Sequence, residues 1–142
     1  MESIRNHFTT HDQFAKANHF ELIEVAEGYA KTRMVVCPQH LNSVGTVHGG
    51  AYFSLADLAF GAASNTGGRI ALGLSMTLTC IKAVTGGTLV AEAREVARTY
   101  KTSTCEVRIT DQDGELVAIF QGVAYIKNET FPPKISDLKP SD

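Results

Sequence analysis

The segment Ala51–Ser64, with the sequence AYFSLADLAFGAAS, constrains the fold of this chain more than any other segment. It contains no proline and a single charged residue, Asp57. On a helix with 3.6 residues per turn its apolar residues lie on every side, which is typical of a helix that is buried nearly all round. We therefore predict one long apolar helix at the centre of the molecule, with other backbones packed closely against its alanine and glycine residues.

The segments on both sides of this helix have the alternation of apolar and polar residues that predicts β-strands. Two strands, His19–Val25 and Tyr29–Val36, flank a turn at Glu27-Gly28 and precede the helix. Four more follow the helix, at residues 70–80, 88–100, 102–111 and 115–127. Because strands follow one another instead of alternating with helices, this order indicates an α+β fold and argues against a doubly wound sheet. We expect a curved antiparallel sheet wrapped around the central helix.

The strand at residues 70–80 predicts one face of large apolar residues and one face of small ones. The small face contains Ala71, Gly73 and Ser75, and it is expected to lie beside the central helix and to leave space for a ligand or water. The alternative is that Ser75 simply fills a tight contact between strand and helix.

The composition restricts the classes of function. A chain of 142 residues, 44% of them hydrophobic, suffices for one domain with a substantial core. A net charge of −2 argues against a nucleic-acid partner. No apolar run approaches the roughly 20 residues of a membrane span, and residues 1–10 lack the apolar region of a secretory signal. Three widely spaced cysteines favour reduced thiols and therefore a cytoplasmic protein.

The chain divides into three parts by composition. Residues 1–18 form a polar, mildly helical segment, and residues 19–127 form the domain that contains the predicted sheet and central helix. Residues 128–142 contain three of the four prolines and are expected to be a loosely packed tail.

The sequence Thr46-Val-His-Gly-Gly50 directly precedes the central helix and is the first candidate for a functional site. The first backbone N–H groups of a helix have no partner within the helix, and the helix dipole adds positive character there. Such an end can bind an anion or a developing oxyanion. The alternative is a structural one, in which the glycines permit a positive φ and His48 is a packing residue.

Asp57 is the second candidate, because a carboxylate within an apolar helix is costly unless it is paired, hydrated or functional. The alternative is an aspartate on a narrow solvent-facing stripe, or one that caps a neighbouring turn. Gly49 and Asp57 are eight residues apart, which corresponds to about 12 Å along a helix. One acyl carbon cannot contact both groups of the same chain, since catalytic contacts are about 3 Å. If both act on one carbonyl, they come from two subunits, which predicts a dimer with two shared sites.

These residues also resemble a known family. The segment His40–Gly50 has the sequence HLNSVGTVHGG and is followed by Leu55-Ala-Asp57 and Gly61. It resembles the signature of the hotdog-fold acyl-CoA thioesterases of the PaaI-like branch, approximately Asn-x-x-Gly-x-x-His-Gly-Gly with an Asp seven residues after the second glycine. The positions that match in register are Asn42, Gly45, His48, Gly49, Gly50 and Asp57, and Ser75 matches a later Ser or Thr position. The resemblance covers residues 19–127.

The resemblance implies a hotdog fold, hydrolysis of a thioester, and a role for each matched residue. The amide of Gly49 would donate a hydrogen bond to the thioester carbonyl. Asp57 of the partner subunit would act as general base on water or as nucleophile, and Ser75 would position that water or Asp57. Asn42 and His48 would orient the thioester and its surroundings.

The resemblance further implies dimers that pair into tetramers, with CoA across the subunit boundary and its phosphates near basic residues at strand ends. No cofactor is expected, since CoA is part of the substrate. Many relatives have a Gly-Arg-Arg-Thr-like turn where this chain has Thr99–Ser103, with the sequence TYKTS. We expect Arg98, Lys101 and Thr102, together with Gly50, to contact CoA. The alternative for Arg98 and Lys101 is a solvated strand end.

Two other functions remain open at this point. One is a hotdog hydratase or dehydratase that acts on an acyl thioester, and the other is a hotdog protein that binds acyl-CoA without catalysis. No metal site is expected, because His40 and His48 lack a nearby third ligand. The acyl group is expected to be aromatic or of medium to long chain. Candidate wall residues of its pocket, each of which is equally compatible with the core, are Tyr52, Phe53, Phe60 and Met76.

Overall fold

A computed structural model describes residues 1–134 and 136 of the chain. The described residues form three α-helices, one short 3-10 helix and six strands. The helices are α1 (Glu2–His11), α2 (Gln13–Ala17) and α3 (Gly49–Asn65), and the strands are β1 (Phe20–Ala26), β2 (Tyr29–Val35), β3 (Arg69–Cys80), β4 (Thr88–Arg98), β5 (Thr102–Thr110) and β6 (Leu116–Thr130).

The six strands form one antiparallel sheet in the order β1-β2-β4-β5-β6-β3. The predicted hairpin between β1 and β2 is present, and Gly28 adopts the positive φ of +63° that its turn requires. Helix α3 contacts all six strands. The α+β prediction, a curved antiparallel sheet around one central helix, is confirmed.

Helix α3 is buried along almost its whole length, as predicted, and it begins two residues earlier than the sequence pattern indicated. Leu55 and most of the alanines of α3 are inaccessible to solvent, and Phe60 is nearly so. A Cβ on Gly122 of β6 would lie only 2.8 Å from the Phe60 ring, so the sheet needs a glycine at this position. This close contact fixes the depth of α3 against the sheet and thereby the position of the residues around it.

A β-bulge in β3 breaks the predicted alternation of faces. The register shifts between Gly73 and Ser75, so Ser75 pairs with Val123 and Met76 pairs with Gly122. Gly122 packs on the central helix, so Met76 lies on the helix side of the sheet and Ser75 on the opposite side. The prediction of a continuous small-residue face beside the helix is therefore wrong beyond Gly73.

The two ends of the chain extend the structure beyond the sheet and the central helix. Helices α1 and α2 pack on β1 and α3 through the buried Ile4 and Ala15. Strand β6 continues to Thr130, so residues 128–130 are a strand end and not the loose tail expected there. The rest of that expectation concerns residues 131–142, of which 135 and 137–142 lie outside the described residues. In the described part of the chain, no helix is both long and apolar enough to cross a membrane.

Candidate active site

The loop that leads into α3 is held together by the side chain of Asn42. Its Oδ1 accepts hydrogen bonds from the backbone N–H groups of Val44 and Thr46, both at 3.1 Å. Its Nδ2 donates to Thr46 Oγ1 at 2.8 Å. A backbone bridge between Leu41 and Val47 closes the loop. Asn42 therefore acts on its own loop, and this geometry makes it a residue that positions the start of α3.

His48 is the N-cap of α3. Its Nδ1 accepts a hydrogen bond from the N–H of Gly50 at 2.8 Å, and its backbone N–H donates to the carbonyl of His40 at 2.7 Å. A ring nitrogen that accepts carries no proton, so the neutral ring holds its proton on Nε2. The amide of Gly50, expected to contact CoA, is thus used by His48.

The N–H of Gly49 is the donor that this arrangement leaves open. It donates no hydrogen bond to any residue that the structure describes, as expected for the first turn of a helix. Its neighbour is Cys80 at the end of β3, since a Cβ on Gly49 would lie 4.0 Å from Cys80 Sγ. The sequence contains no signal for this neighbour, because the contact joins two elements that are distant along the chain.

Asp57 lies in the middle of α3, half-buried, on the wall of an open cavity of about 710 Å³. Its carboxylate accepts no hydrogen bond within the described residues. Burial raises the pKa of Asp57 above its ordinary value, and the negative charge of Asp12 raises it further. A carboxylate with free lone pairs and a raised pKa is suited to accept a proton.

Gly49 and Asp57 lie in one unbroken helix, so the separation of about 12 Å expected from the sequence applies. The two groups are therefore too far apart to act on one carbonyl within a single chain.

The structure does not bring Ser75 to Asp57 within one chain. Ser75 is exposed on the face of β3 that points away from α3, and it is not part of the wall of the Asp57 cavity. Strand β3 lies at the edge of the sheet, and its neighbouring side chains Leu72 and Leu74 are 57% and 66% exposed. Ser75 and Asp57 therefore lie on different sides of the sheet within one chain.

Gly50 lies in the first turn of α3, whereas Arg98, another residue expected to contact CoA, lies at the C-terminal end of this helix. The guanidinium of Arg98 donates to the carbonyl of Ser64 at 2.7 Å and forms an ion pair with Glu95 at 2.8 Å. Arg98 thus neutralises the negative end of the helix dipole, and its donors are largely used. Thr102 Oγ1 is 2.7 Å from the hydroxyl of Thr99, whereas Lys101 is exposed.

Two of the four candidate wall residues line the Asp57 cavity, namely Phe53 and Phe60. Tyr52 is buried elsewhere and donates from its hydroxyl to the carbonyl of Lys82 at 3.2 Å, and Met76 packs over Gly73.

His40 is a buried structural residue whose two ring nitrogens are both used. Nδ1 accepts from the N–H of Cys37 at 2.9 Å, and Nε2 donates to the carbonyl of Asn18 at 2.7 Å. Within the part of the chain that the structure describes, no group of three or more His, Cys, Asp or Glu side chains could hold a metal ion.

The sequence interpretation missed the contribution of the N-terminal helices to the cavity. Phe8, Asp12 and Phe14 line it opposite α3. Asp12 caps α2 by accepting a hydrogen bond from the N–H of Ala15 at 2.9 Å, which is a recognisable helix-start signal. That signal predicts the helix, but it does not predict the element against which the helix packs.

Comparisons with known proteins agree with this architecture. The model of the thioesterase superfamily matches residues 44–118. A candidate esterase of Archaeoglobus fulgidus is 40% identical over 134 residues, which cover 94% of this chain and 87% of that protein. The acyl-coenzyme A thioesterase PaaI of Escherichia coli K12 is 35% identical over 115 residues, which cover 80% of this chain and 82% of that protein.

The solved structure of the Escherichia coli PaaI protein from the phenylacetic acid degradation operon superposes with a TM-score of 0.84 at 32% identity. The superposition covers 88% of this chain and 91% of that one. The sheet and central helix described above are therefore a hotdog fold.

Proposed function

This chain belongs to the thioesterase superfamily and is an acyl-CoA thioester hydrolase, and we propose that it uses Asp57 of one subunit with the Gly49 amide of another. The proposed substrate is an aromatic or medium- to long-chain acyl-CoA. The observation that supports this proposal most strongly is the placement of two polar groups, the Gly49 N–H and the Asp57 carboxylate, on helix α3. A donor and a carboxylate, both without a partner in the described chain, lie about 12 Å apart on one rigid helix.

In the proposed reaction, the thioester carbonyl oxygen accepts a hydrogen bond from the N–H of Gly49. Asp57 takes a proton from a water molecule, whose oxygen attacks the carbonyl carbon, and the negative charge that develops on the carbonyl oxygen is stabilised by the Gly49 donor and the helix dipole. The carbon–sulfur bond then breaks, and the CoA sulfur takes the proton held by Asp57, so that CoA leaves as the thiol and the carboxylate is restored. The products are the free acid and CoA. Attack by Asp57 itself is the alternative first step.

We propose that two subunits pair through the free edge of β3. This edge has open backbone hydrogen-bonding groups and the exposed Leu72 and Leu74, so pairing with a second copy would bury apolar surface and complete the sheet. The opposite edge, β1, is covered by α1 and has the charged Glu21 and Glu24. A two-fold axis at β3 would place two α3 helices antiparallel, with Gly49 of one near Asp57 of the other. We propose that such dimers pair into tetramers in the cytoplasm.

The remaining predicted residues take secondary roles in this proposal. Ser75, at the pairing edge, would position the water or Asp57 of the other subunit. Lys101 is exposed and is the better candidate for a contact with a CoA phosphate, because Arg98 is occupied by Glu95 and the end of α3. The rings of Phe53 and Phe60 give the Asp57 cavity an apolar wall, which suits an aryl or alkyl acyl group.

The test is a thiol-release assay of the purified protein against acetyl-, hexanoyl-, palmitoyl-, benzoyl-, phenylacetyl- and hydroxybenzoyl-CoA. We expect clear turnover that is highest for one class of acyl group. Binding of these ligands without release of thiol from any of them would contradict the proposal and favour a protein that only binds acyl-CoA. Hydration of an enoyl-CoA without thiol release would favour the hydratase.

A further inference from the structure

We propose that Phe8 of α1 sets the length limit of the acyl group, because it separates the Asp57 cavity from a second cavity behind it. This inference rests on the proposed function and assigns a specificity-determining residue outside the segment that the family model matches.

The two cavities lie side by side. The Asp57 cavity has a volume of about 710 Å³ and the second one of about 410 Å³. They share five lining residues, which together form the partition between them: Phe8, Asp12, Ala15, Phe20 and Leu58. Outside the partition, Leu22 and Ile23 of β1 offer apolar surface to the end of a longer chain. The rest of this lining is polar and consists of Arg5, Thr9, Lys16 and Glu21.

Phe8 differs from the other members of the partition. Ala15, Phe20 and Leu58 are buried core residues, and the side chain of Asp12 caps α2. Phe8 is only half-buried.

The ring of Phe8 is held over α3 by two contacts. A Cβ on Gly61 would lie 3.6 Å from this ring, so the ring packs on α3 one turn after Asp57. On its other side it packs against the ring of Phe131, with 5.4 Å between the centroids. Loss of the Phe8 ring would therefore open the partition at a point close to the catalytic carboxylate.

The experiment measures kcat/KM for straight-chain acyl-CoAs from hexanoyl to palmitoyl in the wild type, Phe8→Ala and Phe14→Ala. Phe14 lines only the Asp57 cavity and is 63% exposed, so Phe14→Ala is a matched control that leaves the partition intact. We expect Phe8→Ala to raise the ratio of kcat/KM for palmitoyl- over hexanoyl-CoA roughly tenfold. Phe14→Ala should leave this ratio within about twofold of the wild type, because it adds no length to the pocket.

An unchanged ratio in folded Phe8→Ala, or an equal change in both variants, would overturn the inference. If Phe8→Ala does not fold, Phe8→Trp replaces it, and the larger ring should shift the preference to shorter acyl chains. An unchanged preference in Phe8→Trp would also overturn the inference. A wild type that hydrolyses no acyl-CoA would refute the proposed function instead. In that case the same series is measured as Kd by calorimetry, with the same direction of change expected.

Discussion

The first turn of α3 and its middle differ in how their polar groups are satisfied. At the first turn, the side chain of Asn42 holds the preceding loop by hydrogen bonds, and His48 accepts a hydrogen bond from the N–H of Gly50. The N–H of Gly49 therefore lies among polar groups that already have hydrogen-bond partners, and its position is fixed. In the middle, Asp57 accepts no hydrogen bond in the described chain, and burial raises its pKa. An oxyanion donor is effective when it does not reorient, whereas a base needs a free lone pair and a pKa close to the working pH.

In the proposed mechanism, one helix therefore supplies an oxyanion donor to one site and a base to another. Gly49 and Asp57 are separated by about 12 Å along α3, a distance that one substrate carbonyl cannot bridge. A complete site in this mechanism therefore needs a second α3 helix beside the first. The variants below change either the donor region or the base region and leave the other intact.

The largest effect is expected for Asp57→Asn. It removes the base without removing any hydrogen bond seen in the described chain, so kcat/KM should fall roughly a thousandfold. A carboxyl whose folded pKa lies above its unfolded pKa lowers stability once pH exceeds both values. The variant should therefore unfold at the same or a higher temperature than the wild type at pH 7. A loss of activity below tenfold would remove Asp57 from the mechanism.

Gly49→Pro should lower kcat roughly a hundredfold, because proline lacks the N–H that the mechanism uses. Proline is tolerated at the first position of a helix, and His48 already has the extended φ of −61° and ψ of 137° that precede a proline. The matched control is Gly49→Ala, which keeps the N–H and places its Cβ 4.0 Å from Cys80 Sγ. Equal activities of the two variants would contradict the role of this amide.

His48→Ala tests the rigidity of the first turn. Loss of the cap should reduce the free energy of unfolding by about 1 kcal/mol. The activity should fall roughly tenfold, because the neighbouring Gly49 donor is less well held. His48→Asn restores a side chain that caps helices and should recover the stability in chemical denaturation. Recovery of stability without any recovery of activity would show that the imidazole itself contacts the substrate.

The smallest effect concerns the pH profile of the base. The negative charge of Asp12 disfavours the ionised form of Asp57, so Asp12→Asn should move the acid limb of kcat/KM to lower pH, while asparagine keeps the cap of α2. His7 and His11 line the same cavity, and burial lowers the pKa of His7. Because a lowered pKa reduces the positive charge on His7, the shift of the acid limb caused by Asp12→Asn should be the same when His7 is replaced by glutamine. A limb that moves to higher pH, or does not move, would contradict this electrostatic account.

The sequence predicts the central helix and the succession of strands along the chain well, because both depend on local periodicity, whereas the order of the strands within the sheet does not. The apolar run at 51–64 and the alternation in the later strands need no tertiary information. The bulge at Gly73 is different, since a single extra residue reverses the faces of a strand without changing its composition, and this displaced Ser75 from the expected side.

In the candidate site, too, some features follow from the local sequence and others depend on tertiary packing. Gly49 and Asp57 could be singled out because their chemistry conflicts with a simple apolar helix, and their separation follows from helix geometry alone. The partners of Arg98, by contrast, come from the end of α3 and from Glu95, and the cavity wall at Phe8 comes from the packing of α1. These contacts depend on the packing of distant elements, which periodicity in one sequence does not encode.

The shared site is tested most directly by mixing two inactive variants, Asp57→Asn and Gly49→Pro. After the subunits are unfolded, mixed in equal amounts and refolded, random pairing would make half of the dimers mixed, each with one intact site. We expect recovery of about a quarter of the wild-type activity, because the intact site combines Gly49 of one chain with Asp57 of the other. A mixture no more active than the two variants alone, beside a refolded wild type that regains its activity, would contradict it.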